Sequence, residues 1–132
     1  MDKKIEKKII DVTLEENRFI NTNNYKLVEL NDDYCKLEGT ITESSLNPYG
    51  IAHGGYIFGL ADTAGGAVAR MSGCDPVTST SNITFLRKAK GNKLVAVARP
   101  LKRGRTLTNC EVEIFDEEDK LIAKVIIEYF NL

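Results

Sequence analysis

Long apolar runs are missing from this chain, and most of the residues on which familiar chemistries depend are scarce. No stretch approaches the roughly 18 consecutive apolar residues of a membrane span. That argues against a helical membrane protein. The first residues, MDKKIEKKII, lead into neither an apolar core nor a small-residue cleavage site, so no secretory leader is expected and a cytoplasmic location is. The three cysteines, Cys35, Cys74 and Cys110, are odd in number, scattered and without metal-ligand spacing. They read as reduced thiols rather than a disulfide or zinc framework. There is one histidine, His53, and no Ser or Cys in a recognisable nucleophile motif, so a Ser-His-Asp triad has no place to form. Net charge is −1, which gives the molecule no bulk attraction for polyanions. Internal repeats and low-complexity linkers are absent.

What is present suits one globular domain spanning residues 1–132, long enough to bury a core. Residues 2–20 mix Lys and Glu with Ile5, Ile9, Ile10 and Leu14, the pattern of a short amphipathic N-terminal helix. Residues 25–30 and 34–41 then alternate as strands, with a turn at Asn31-Asp32-Asp33. The period changes to that of a helix at Ile57, Leu60, Ala61, Ala64, Val68 and Met71, and Ser72-Gly73 stops it. Four more strands are predicted over 77–87, 93–101, 106–116 and 120–130. Cys110, Val112 and Ile114 should face inward, Glu111 and Glu113 outward, and Pro100 should mark a strand end or bulge. Short turns between these last four strands predict that they are antiparallel neighbours. One long helix against one antiparallel sheet is an α+β layer architecture.

The informative stretch is NPYGIAHGGYIFGLADTAGG, Asn47 to Gly66. On a helical wheel Asp62 falls nearly opposite the aliphatic stripe, among Gly55, Phe58, Gly59, Gly66 and Ala69. A surface helix would place Lys, Glu and Gln there. Glycine costs about 1 kcal/mol per helix position, so this face must meet another surface closely. A carboxylate on such a face needs partners or a task, and general base or nucleophile are the usual ones. At the helix entrance, Gly54 and Gly55 would let a substrate carbonyl reach unpaired N–H groups at the positive end of the helix dipole, an oxyanion site for acyl transfer. Gly55 and Asp62 are separated by about 10 Å of helix rise, whereas a reacting carbonyl must lie about 3 Å from both. Two helices running antiparallel across a twofold axis would solve this, which predicts a dimer with two composite sites. His53 is either a structural hydrogen-bonder or a residue framing this site. Asn47 is either a turn residue before Pro48 or a group orienting a carbonyl or water.

Arg87, Lys88, Lys90, Lys93, Arg99, Lys102, Arg103 and Arg105 fall in one stretch with no acid among them. They are either solvated strand ends or a phosphate site. No aromatic platform accompanies them, which argues against nucleic acid. A small polyphosphate such as coenzyme A fits better.

Asn47, Gly50, His53-Gly54-Gly55 and Asp62, with the later block Ser81 to Thr106, resemble the hotdog-fold acyl-CoA thioesterases of the PaaI-like (phenylacetyl-CoA thioesterase) branch, over about residues 25–130. The resemblance implies an antiparallel sheet of five to six strands wrapped around one long central helix. It implies that two chains join sheets edge to edge as a homodimer, and that dimers pair into a tetramer. It implies Asp62 as the catalytic carboxylate, the N–H of Gly55 aided by Gly54 as oxyanion donor, Asn47 and His53 as positioning groups, and Thr78 as a water-placing hydroxyl. Phe58 and Asn82 would touch substrate, and Arg87, Lys102, Arg103 and Arg105 would meet the nucleotide of coenzyme A. No metal and no cofactor is implied beyond coenzyme A as part of substrate and product; neither nucleic acid nor membrane is an expected partner. The expected activity is hydrolysis of a small aryl- or medium-chain acyl-CoA. The rival is a hotdog domain that binds acyl-CoA without turnover, against which Asp62 speaks. A hydratase would need an Asp and His pair in a spacing this chain does not have.

Overall fold

The computed structural model describes Lys3, Lys4, Ile9 and residues 16–132. Most of the amphipathic segment predicted over residues 2–20 lies outside the described residues. Ile9 is helical and buried in the core, as its place in that pattern requires. A short helix α1 (Arg18–Asn23) follows. The Asn17 side chain caps it by accepting the Ile20 N–H at 3.3 Å, and Asn24 ends it in the left-handed region.

The remaining described elements are β1 (Tyr25–Leu30), β2 (Cys35–Thr40), a 3-10 turn at Glu43–Ser45, the long helix α2 (Gly54–Arg70), β3 (Pro76–Phe85), β4 (Lys93–Arg103), β5 (Leu107–Asp116) and β6 (Leu121–Asn131). The turn at Asn31 forms as predicted, its side-chain oxygen accepting the N–H groups of Asp33 and Tyr34 at 2.8 and 3.0 Å. All pairings are antiparallel, in one sheet of order β1-β2-β4-β5-β6-β3. The predicted hairpins β4–β5 and β5–β6 are present, and the β4–β5 register shifts between Pro100 and Lys102, where proline cannot donate to the ladder.

One expectation fails. β3 and β4 are not neighbours: β3 pairs with β6 at the far edge, and β4 returns to pair with β2. The connection over residues 86–92 must cross three strand spacings, about 14 Å. Seven extended residues reach beyond 20 Å or so, so a link short enough to suggest a hairpin is also long enough to cross β6 and β5. Buried Asp116 anchors this crossing. Its carboxylate accepts the Lys90 N–H at 2.9 Å from the crossing, and the N–H groups of Glu118 and Lys120 at 2.9 and 3.0 Å from the β5–β6 turn. Burial pushes its pKa up; the three N–H bonds, with Arg87 nearby, outweigh burial and hold it below its usual value.

Alternation places Cys110, Val112 and Ile114 of β5 and Val125, Ile127 and Tyr129 of β6 on one buried face. α2 lies across it. Ile57, Leu60, Ala61, Ala64, Val68 and Met71, the predicted stripe, are all buried there. Each large aliphatic side chain so buried contributes about 1.5–3 kcal/mol. β3 is different. From Val77 to Asn82 every residue is exposed, and its outer edge has no strand partner among the described residues.

Candidate active site

The loop entering α2 is built around Asn47. Its side-chain oxygen accepts the N–H groups of Tyr49 at 2.9 Å and Ile51 at 3.3 Å, while Gly50 takes the positive φ, 79°, that the turn needs. Asn47 is therefore the turn residue its local sequence allowed. That duty uses only the oxygen. The side-chain NH2 has no acceptor among the described residues, and Asn47 lines a cavity of about 410 Å³ together with Gly54, Ile57, Phe85 and Arg87. Across that cavity Phe85 packs so near Gly54 that an added Cβ would lie 3.1 Å from its ring.

His53 is the N-cap of α2. Its Nδ1 accepts the Gly55 N–H at 2.8 Å, so in this arrangement Nδ1 carries no hydrogen. This fulfils the structural alternative for His53 and revises the expectation for Gly55, whose N–H is taken by the cap. The N–H of Gly54, the first of the helix, has no acceptor among the described residues. No sequence signal told these two glycines apart, because histidine is an uncommon N-cap.

Eight residues further on, about 12 Å along the axis, Asp62 faces a groove of about 460 Å³. Gly55, Phe58, Gly59, Thr78, Tyr129 and Arg70 line it with Asp62. Asp62 Oδ1 accepts from Thr78 Oγ1 at 2.8 Å and from the Tyr129 hydroxyl at 3.0 Å. Thr78 and Tyr129 are register partners across the β3–β6 pair, so one rung of the sheet delivers both donors. Among the described residues Oδ2 has no partner. Thr78, expected as a water-placing hydroxyl, here donates its hydrogen to the acid itself. Tyr129 was missed; its signal was the inward alternation Val125, Ile127, Tyr129, which looked like core alone.

The glycine face is explained partly within the chain. A Cβ at Gly59 would lie 2.7 Å from the Tyr25 hydroxyl and 2.8 Å from the Phe19 ring, and one at Gly65 would collide with the Tyr129 hydroxyl. A Cβ at Gly55 would press on His53 Nδ1 at 3.1 Å; Gly66, by contrast, meets only the edge of Tyr129 at 3.9 Å.

The basic stretch does not converge. Arg87 is at the α2 entrance. Arg103 is at the opposite end, donating to the Asp32 carbonyl at 2.9 Å and the Val68 carbonyl at 3.4 Å, where it completes the negative end of the helix. Lys102 and Arg105 are exposed on the same hairpin as Arg103. Asn82 lies in a separate surface groove with Thr80, Asn109, Ile126 and Glu128. No cluster of three or more His, Cys, Asp or Glu that could hold a metal occurs among the described residues.

One six-stranded antiparallel sheet packed on one long helix is the architecture of the hotdog-fold thioesterases. Residues 49–123 match the thioesterase superfamily, and the chain belongs to that family. The acyl-coenzyme A thioesterase PaaI of Escherichia coli is 30% identical over 98 residues, covering 74% of this chain and 70% of that protein. A Streptococcus mutans protein solved bound to acetyl CoA superposes with TM-score 0.79 at 32% identity, over 83% of this chain and 89% of that one. A hypothetical thioesterase protein of Streptococcus pneumoniae, solved with coenzyme A, gives 0.84 at 29% identity over 93% and 96%. The chain spans about two thirds of the length of the curated relatives it matches.

Proposed function

We propose that this protein hydrolyses acyl-CoA thioesters with small aryl or medium-chain acyl groups, giving the free acid and coenzyme A, at sites shared between two copies. The observation that carries the reading is the Asp62 carboxylate. One oxygen is anchored by two donors, and the other stands free in a groove beside glycine. The thioester carbonyl oxygen accepts from the Gly54 N–H and the Asn47 side-chain NH2 of one copy, which stabilise the negative charge of the tetrahedral intermediate. Asp62 of the other copy supplies Oδ2. Either Oδ2 takes a proton from water as that water attacks the carbonyl carbon, or Oδ2 attacks directly to give an anhydride that water then opens. In both routes the C–S bond breaks, the coenzyme A thiolate departs and is protonated, and the acyl group leaves as a carboxylic acid. Both routes fit the same residues.

Sharing follows from distance. The 12 Å or so between Gly54 and Asp62 along one helix cannot be bridged by a carbonyl that must touch both. The exposed edge of β3 supports an edge-to-edge homodimer, since an unpaired strand is a template for another; two such dimers would form a tetramer. Arg87 and Lys88 line the entrance cavity, which supports a role for them in meeting the coenzyme A phosphates. The acetyl CoA and coenzyme A bound to the two streptococcal relatives support this substrate class. The reading needs no resident cofactor and assigns the protein to the cytoplasm; among the described residues no helix is long and apolar enough to cross a membrane.

The test is release of free thiol from acetyl-, phenylacetyl-, octanoyl- and palmitoyl-CoA, with calorimetric binding measured alongside. Turnover well above spontaneous hydrolysis is expected for the aryl or medium-chain member. Binding with no thiol release for any of the four would replace hydrolysis with an acyl-CoA-binding role.

A further inference from the structure

We propose that Tyr129 is a positioning residue for the reaction, holding the Asp62 carboxylate in the one rotamer that presents Oδ2 to the thioester. This rests on the reading of Asp62 as the reacting group. Three observations point to it. The hydroxyl lies 3.0 Å from Asp62 Oδ1 and 2.9 Å from the Asp62 backbone oxygen. That backbone oxygen is in mid-helix, where the N–H four residues on satisfies it, so the carboxylate is the acceptor that depends on the hydroxyl. The ring is 1% exposed, locked between β6 and α2, and Gly65 is the residue that makes room: any side chain there would strike the hydroxyl. A core that needed only bulk would be served by phenylalanine, and a glycine in mid-helix costs about 1 kcal/mol that such a core would not require.

Thr78 alone does not fix the carboxylate. It lies beside the register shift between Thr78 and Thr80, where the β3–β6 ladder is interrupted. Tyr129 is a rigid donor on an interior strand, flanked by β5 and β3. Burial, the Asp62 charge and Cys110 all push its pKa well above the usual tyrosine value, so the hydroxyl keeps its proton and remains a donor. Two donors on Oδ1 also leave only Oδ2 exposed to the groove, which makes the carboxylate act at one end.

The experiment is Tyr129→Phe, alone and in the Asp62→Asn background, with steady-state thiol release and thermal unfolding. Loss of a hydrogen bond to a charged group should lower kcat about tenfold or more, with KM unchanged and the melting temperature lowered by about 5–10 °C. In the Asp62→Asn background the same change should have no further effect, because Tyr129 acts only through the carboxylate. Kinetics are read below the melting temperature of each variant, on protein shown by circular dichroism to be folded, so that a fall in kcat is not a loss of fold. Native kcat in Tyr129→Phe while Asp62→Asn is inactive would overturn the proposal. So would a fall in kcat equal in both backgrounds. If Asp62→Asn itself retained native turnover, the reading of Asp62 would fail first, and visibly so.

Discussion

Replacing Asp62 with Asn exchanges one oxygen for an NH2 group and little else. The amide oxygen can still accept from Thr78 Oγ1 and the Tyr129 hydroxyl, so the orientation of the side chain is preserved. The NH2 then stands where Oδ2 stood, in the groove lined by Gly55 and Phe58. An amide nitrogen neither takes a proton from water nor attacks a carbonyl. General-base assistance contributes about 10²–10⁴ in rate, so kcat should fall by about 10³, roughly 4 kcal/mol of barrier. The donors to Oδ1 survive, so the melting temperature should move by no more than about 3 °C. The assay is capture of the released thiol by a chromogenic disulfide, run at raised enzyme concentration with spontaneous hydrolysis subtracted. Asp62→Ala, which cannot revert by deamidation, serves as the check. A rate within about threefold of native would refute the assignment of chemistry to this carboxylate, because near-native turnover does not survive loss of the reacting group.

Arg103 is expected to behave as a structural staple. Arg103→Met removes its bonds to the Asp32 and Val68 carbonyls, which should cost about 1 kcal/mol and lower the melting temperature by about 3–5 °C, with KM for acyl-CoA unchanged. A raised KM with no loss of stability would return Arg103 to the phosphate site. Asp116 should shape stability at low pH. Its folded pKa is depressed, so its contribution is fully present above the usual carboxylate value near 4 and is lost as pH falls through the lower folded value. Chemical denaturation from pH 6 down to pH 2.5 should show stability declining below about pH 4. Asp116→Asn, which cannot reproduce the Lys90 bond, should be less stable at pH 6 and decline less steeply; parallel curves would contradict the linkage.

Much of this fold was legible because periodicity reports burial. The stripe from Ile57 to Met71 and the alternation of Cys110, Val112 and Ile114 appear in the structure as read. The place of β3 was not legible, because a link over residues 86–92 satisfies both a hairpin and a crossing, and only the core decides between them. At the site, Asp62 stood out as a lone acid on a glycine face. Tyr129 did not, since an aromatic at an inward strand position is ordinary core material until the helix opposite it is known to carry Gly65 and Asp62. The exchange of Gly55 for Gly54 as the open donor turned on one side-chain rotamer, that of His53, which no pattern of residue types encodes.

The central claim is that each reaction centre takes its acid from one copy and its carbonyl donors from the other. Mixed assembly of Asp62→Asn chains with Asn47→Ala chains tests it most directly, each variant being nearly inactive alone. In a hybrid dimer one centre carries both defects and the other carries neither. Random pairing of equal amounts should therefore recover about a quarter of native activity. A mixture no more active than the mean of its two parents would show that acid and carbonyl donors belong to the same chain, and would contradict the shared site.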